Sequence, residues 1–123
     1  MKSRHTLLTE LLAINRPLAL ITQELSEYPS GSNEEILELR RAHIVDACRR
    51  VLSGNLTTFD LSRWADTLEG REDLKYQEGK EKELATALFE LSSPEINSPL
   101  NSQFLTDLIT RLDESAEPQD RSK

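Results

Sequence analysis

The sequence predicts an all-α, single-domain bundle of four to five helices, and three observations support this class. Leucine dominates the apolar residues while valine occurs only at Val45 and Val51, a bias that favours helices over a sheet. Apolar residues recur three and four positions apart along much of the chain, which is helical spacing. The 123 residues suit one hydrophobic core. We therefore expect a helical bundle over residues 1–114 and a disordered C-terminal tail over residues 115–123.

The first helical segment carries one continuous apolar stripe. The stripe consists of Leu7, Leu11, Ile14, Leu18, Ile21, Leu25 and Tyr28. Pro17 interrupts this segment, because a proline deletes one backbone donor and clashes with the preceding turn. The pattern predicts either a long helix that is kinked or two helices broken near Asn15 and Arg16. Continuity of the stripe favours the kink.

The second helix is predicted from Asn33 to Ser53. Ser32 and Glu35 have the spacing of a capping box, which indicates a helix start, and Gly54 suits the position after its end. At about 100° per residue, Arg40 falls inside the apolar arc of this helix. Arg40 is therefore either a half-buried residue that pairs with an acid on a neighbouring helix or an anchor for a partner.

The third helix is predicted from a cap at Thr57 to Glu69. Its apolar residues share one face, so we expect Trp64 in the core rather than on the surface. Arg71 to Gly79 is polar and predicts a loop or a short irregular turn on the surface. A fourth helix should begin at Lys80 and stop before Pro94. A final helix should then open between residues 98 and 102.

The sequence contains no recognisable catalytic or metal-binding pattern. His43 and Cys48 are five residues apart, so they point in different directions on a helix and cannot share one ion. GxGxxG, phosphate-binding loop and HExxH motifs do not occur. We expect a non-enzymatic protein without a cofactor or metal. Cys48 is the only cysteine and no signal peptide or membrane-spanning run is recognisable, so a cytoplasmic location is expected.

Acidic residues are concentrated in the middle of the chain. The net charge is −7, which disfavours nucleic acid or an anionic membrane as a partner. Ten acids oppose five bases between Asp60 and Glu95, whereas residues 1–59 carry seven of each. Such a region can steer a basic partner into contact, or it can serve solubility alone.

The central tract resembles a known class of proteins. VLSGNLTTFDLSRWADTLEGRED over residues 51–73, followed by LFELSSPEIN over residues 88–97, is similar to small all-helical bacterial immunity proteins. These proteins are encoded beside contact-dependent growth inhibition toxins and colicins, and the nearest type is the colicin D immunity-like bundle. The resemblance implies a cytoplasmic protein that binds and neutralises a cognate toxin domain, often a basic nuclease.

The resemblance and the charge pattern together suggest a partner-binding surface. Glu69, Arg71, Glu72 and Asp73 lie in the phrase that matches the family, and carboxylates can occupy phosphate positions in a nuclease cleft. The predicted partner-binding residues are Asp66, Glu69, Arg71, Glu72, Asp73, Tyr76 and Glu78, with Tyr76 as the aromatic anchor. We expect a monomer or weak dimer. The alternative is a helical adaptor or regulatory subunit that binds a host protein through the apolar stripe of the first helix.

Overall fold

The computed structural model describes residues 3–28, 37–71, 73–94 and 100–116. This part of the chain contains six helices and a two-stranded sheet. Their order is α1 (Arg4–Ala13), α2 (Leu18–Leu25), β1 (Leu37–Leu39), α3 (Arg41–Leu52), α4 (Thr58–Glu69), β2 (Leu74–Tyr76), α5 (Glu81–Ser92) and α6 (Ser102–Ala116). The fold is therefore mostly helical, as predicted. The count of four to five helices is not confirmed, and the sequence did not predict the strands.

The first helical segment forms two helices, α1 and α2, so the favoured kink is not confirmed. The side chain of Ser3 caps α1, and Ile14 ends it in the left-handed conformation, with φ 48° and ψ 50°. Pro17 then occupies the N-cap position of α2. Both helices nevertheless contribute to one core, in which Leu7, Leu11, Ile14, Leu18, Ile21 and Leu25 are all buried.

The predicted second helix begins later than expected. Its proposed capping box, Ser32 with Glu35, lies outside the described residues, and Leu37–Leu39 is a strand rather than helix. Arg40 is exposed at the N-cap of α3 and pairs with Glu38 at 2.9 Å, so it does not lie in a buried apolar arc. The ion pair joins neighbours in sequence rather than two helices.

The surface loop predicted over Arg71 to Gly79 contains the second strand. β2 pairs with β1 in parallel, with Leu37 opposite Leu74 and Leu39 opposite Tyr76. Leu39 and Leu74 are buried, which gives these short strands an apolar side towards the core. Gln77 continues the connection, because its backbone N–H donates to Leu39 O at 2.8 Å and its side chain accepts from Arg41 N at 2.9 Å. The sheet thereby fixes the start of α3.

The remaining helices follow the prediction closely. The Thr57 side chain accepts from the Asp60 N–H at 3.0 Å, as the capping pattern predicts, and Trp64 is fully buried. α4 packs against α5, and α3 packs against α6. α6 continues past the predicted domain end at residue 114, and residues 117–123, which include most of the predicted tail, lie outside the described part. Within the described ranges, no helix has the length and apolar content needed to cross a bilayer.

Candidate partner-binding surface

α4 carries both the core of the bundle and the main candidate surface. Leu61, Trp64, Ala65 and Leu68 form its buried face. Asp66 and Glu69 lie outside that face and are exposed. Because helical residues three or four apart share a side, burial of one face necessarily presents the other to solvent. The core thus determines the direction of these two carboxylates.

Glu69 is the last residue of α4 and lies beside the end of α5. Its Oε1 accepts a hydrogen bond from Ser92 Oγ at 2.7 Å, which holds the carboxylate against α5. Burial, with a smaller contribution from the negative charge of Glu69, raises the pKa of Tyr76. Tyr76 is half-buried and packs against the core, so it presents only part of its side chain.

Asp73 is buried and Arg71 is partly buried, whereas the sequence predicted an exposed loop at these positions. Asp73 is only 4% exposed, although its place in a charged stretch indicated a surface residue. Both of its carboxylate oxygens accept from Arg71, from Nε and Nη2, each at 2.8 Å. These hydrogen bonds hold the pKa of Asp73 below its usual range. Arg4 of α1 adds a longer ion pair at 3.8 Å, so this cluster ties α1 to the segment before β2.

The other predicted site residues divide between exposed and undescribed positions. Glu78 is exposed in the turn between β2 and α5, whereas Glu72 lies outside the described residues. Gly79 follows with φ 83°, and its N–H donates to Glu81 Oε1 at 3.0 Å. Glu81 and Glu83 in the first turn of α5 are both exposed. Lys80 and Lys82 lie in the same segment, so the turn and the start of α5 add a net charge of only −1, three acids against two bases.

Phe59 is a surface residue that the sequence analysis missed. Its side chain is 66% exposed on the first turn of α4, and the Arg63 guanidinium carbon lies 5.6 Å from its ring centroid. Helical spacing could have identified it, because Phe59, Arg63 and Asp66 lie four and three residues apart on the side opposite Leu61 and Leu68. The position of Phe59 opposite the buried face therefore predicts that its ring is exposed.

A cleft of about 280 Å³ lies beside α4, between the turn from α1 to α2 and the turn from α3 to α4. Ile14 and Pro17 line one side, and Leu56 and Asp60 line the other. Arg16 at the cleft is held by Glu10 and Glu24, at 2.6 and 2.7 Å. Hydrogen bonds to these two carboxylates raise the pKa of Arg16. Arg50 and Asp60 also line the cleft, so its two arginines are matched by three nearby carboxylates, Glu10, Glu24 and Asp60.

His43 and Cys48 of α3 are both held within the packed part of the fold. His43 Nδ1 accepts the Arg40 backbone N–H at 2.9 Å, and burial lowers the pKa of His43. Burial raises the pKa of Cys48 to about 12, which keeps the thiol protonated at neutral pH. In the ranges that the structure describes, no group of three or more His, Cys, Asp or Glu side chains could hold a metal ion.

No family model, no curated protein and no solved structure matches this chain.

Proposed function

We propose that this chain is an immunity protein that binds a cognate bacterial toxin domain, a basic nuclease, and neutralises it through an acidic surface. The observation that carries the proposal is the exposure of Asp66 and Glu69 on the outward side of α4. Glu78, Glu81 and Glu83 are exposed as well, and they exceed the two lysines of the same segment, Lys80 and Lys82, by one charge. Residues 51–73 and 88–97 resemble small helical immunity proteins in their sequence, and this resemblance suggests the class of partner.

The acidic surface can act on a basic nuclease in two ways. Its negative field accelerates encounter with a positively charged domain, and this effect weakens as salt screens the charges. Once bound, carboxylates can occupy the positions of substrate phosphates and form charge-assisted hydrogen bonds with arginine or lysine. Asp66 and Glu69 suit this role because their backbone positions are fixed by a helix whose other face is buried. Because their backbone is already fixed, these residues lose less conformational entropy when a partner binds.

The adaptor alternative requires an exposed apolar surface, and the structure buries the residues that would form it. An adaptor of that kind would bind through the apolar stripe of the first helical segment, yet Leu7, Leu11 and Ile21 in that stripe are each at most 2% exposed. Binding through this stripe would therefore require α1 and α2 to leave the core. The acidic surface needs no such rearrangement.

The proposed function is tested by reading the gene immediately upstream for a toxin domain and co-expressing that domain with this chain. An upstream gene that encodes no toxin domain would count against the proposal. Cells that carry the toxin and this chain should grow, and cells that carry the toxin alone should stop growing. The double variant Asp66→Asn with Glu69→Gln should protect less well, because it removes two interface charges. The amide oxygen that Glu69→Gln introduces can still accept from Ser92 Oγ, so the contact between α4 and α5 is retained.

The matched control is the double variant Glu27→Gln with Asp107→Asn. It makes the same change in net charge at exposed positions on other parts of the chain, after α2 and on α6. We expect full protection from this control. Cells that carry the toxin, contain normal levels of the wild-type protein and still stop growing would contradict the proposed function.

A further inference from the structure

Phe59 is an exposed apolar residue at a position where the core of the fold does not need one. At 66% it is the most exposed of the large apolar side chains in the described residues, ahead of Leu20 at 47%. Neighbouring residues of the same helix, Leu61 and Trp64, are fully buried, so α4 already has its complete core face. A Phe ring left in water forgoes apolar burial that a partner could supply. Phe59 is thus a candidate contact residue.

Carboxylates lie on both sides of this ring. Asp60 borders the cleft on one side of α4, and Asp66 with Glu69 lies further along the helix. The single base of α4 is Arg63, which lies over the Phe59 ring. Three acids against one base give this helix a net negative charge, although the side chain in contact with the Phe59 ring is the base Arg63.

The negative charge of α4 around Phe59 indicates which class of partner can bind there. A second copy of the chain would bring two negatively charged α4 helices together, which like-charge repulsion disfavours. Nucleic acid and anionic lipid are disfavoured for the same reason. A basic protein surface has the complementary charge, and interfaces commonly place an aromatic residue inside a ring of polar contacts.

We infer that Phe59 is the apolar anchor of the interface with the toxin domain, and that it inserts into an apolar pocket whose rim is basic. This inference rests on the proposed function and extends its interface from Glu69 to the first turn of α4. Asp60, Asp66 and Glu69 would face the basic rim. In this arrangement Phe59 takes the role that the sequence analysis gave to Tyr76, which packs largely against the core.

The inference is tested by measuring binding of the upstream-encoded toxin domain to the variant Phe59→Ala. The affinity should fall at least about tenfold, mainly through faster dissociation, because truncating a central aromatic contact removes buried area without changing the long-range field. The salt dependence of association should stay as in the wild type. Phe59→Leu, which retains an apolar side chain, should recover part of the affinity.

Leu20→Ala provides the control, because it truncates the next most exposed of the large apolar side chains in the described residues, which lies on α2. We expect it to bind as the wild type does, and the melting temperatures of both alanine variants should stay close to that of the wild type. A folded Phe59→Ala variant that binds as tightly as wild type would overturn this inference and leave the proposed function standing. Wild-type protein that does not bind the toxin domain would overturn both.

Discussion

Arg50 of α3 donates a hydrogen bond from Nη1 to the backbone carbonyl oxygen of Ala13 at 2.7 Å. In an uninterrupted helix this carbonyl would accept from the N–H of residue 17, which proline lacks. The Arg50 side chain supplies the missing donor. Its own carbonyl oxygen accepts from Asn55 N at 2.8 Å and Leu56 N at 3.2 Å, so one residue stabilises both turns that flank the cleft.

We predict that Arg50→Ala lowers the free energy of unfolding by about 1–2 kcal/mol, because it leaves the Ala13 carbonyl without this donor. Urea denaturation followed by circular dichroism would measure the change. Arg49→Ala is the control, because Arg49 is exposed and pairs only loosely with Asp113, at 3.7 Å. A loss of stability no larger than that of Arg49→Ala would contradict the role of the Arg50 hydrogen bond.

Asp73→Asn should destabilise the fold by about 3 kcal/mol at pH 7, because it leaves the partly buried Arg71 guanidinium without its carboxylate. The folded-state pKa of Asp73 is lowered, so its contribution is complete above the unfolded pKa of about 4 and is lost as pH falls through the folded value. The difference between wild type and variant should therefore shrink in acid. Asp66→Asn, at an exposed position, should change stability by less than about 0.5 kcal/mol. An Asp73→Asn variant as stable as wild type would contradict the buried position of Asp73.

His43 should make the stability of the fold pH-dependent near neutrality. Its Nδ1 must be unprotonated to accept from Arg40, and its folded-state pKa is lowered by burial and by the Arg40 charge, against the opposing charges of Asp46 and Glu38. As pH falls below about 6.5, the unfolded chain binds a proton that the folded chain resists, so stability decreases. His43→Gln keeps a neutral acceptor at this capping position and should lack that decrease. Identical stability profiles from pH 7.5 to 5 would contradict this role.

Local sequence signals predicted α4 well, because its cap at Thr57 and its buried stripe around Trp64 depend on residues close in sequence. The strands were not predictable in the same way. β1 and β2 have three residues each, too few for a recognisable alternation, and Leu37 pairs with Leu74, far along the chain. The Arg50 side chain that binds Ala13 O at the break between α1 and α2 is likewise distant in sequence, so the Pro17 pattern alone could not reveal it.

On the candidate surface, too, exposure that depends on local helical spacing was predicted, and burial that depends on distant contacts was not. Asp66 and Glu69 were predictable as exposed, since they follow from the helical spacing around Trp64. Asp73 was misassigned because a charged sequence context suggested solvent, while Arg71 and Arg4 bind it inside the fold. Charge counts describe composition, and they do not distinguish a carboxylate that contacts a partner from one that stabilises the chain.

The central claim is that carboxylates on α4 direct the binding of a basic toxin domain. Association rates with the upstream-encoded toxin domain, measured from low to high salt, test this claim most directly. We predict that Asp66→Asn with Glu69→Gln slows association and reduces its salt dependence, while Glu27→Gln with Asp107→Asn changes the rate less. Equal association rates and equal salt dependence for both double variants would contradict the claim, because they would show that net charge alone, and not the surface of α4, steers the partner.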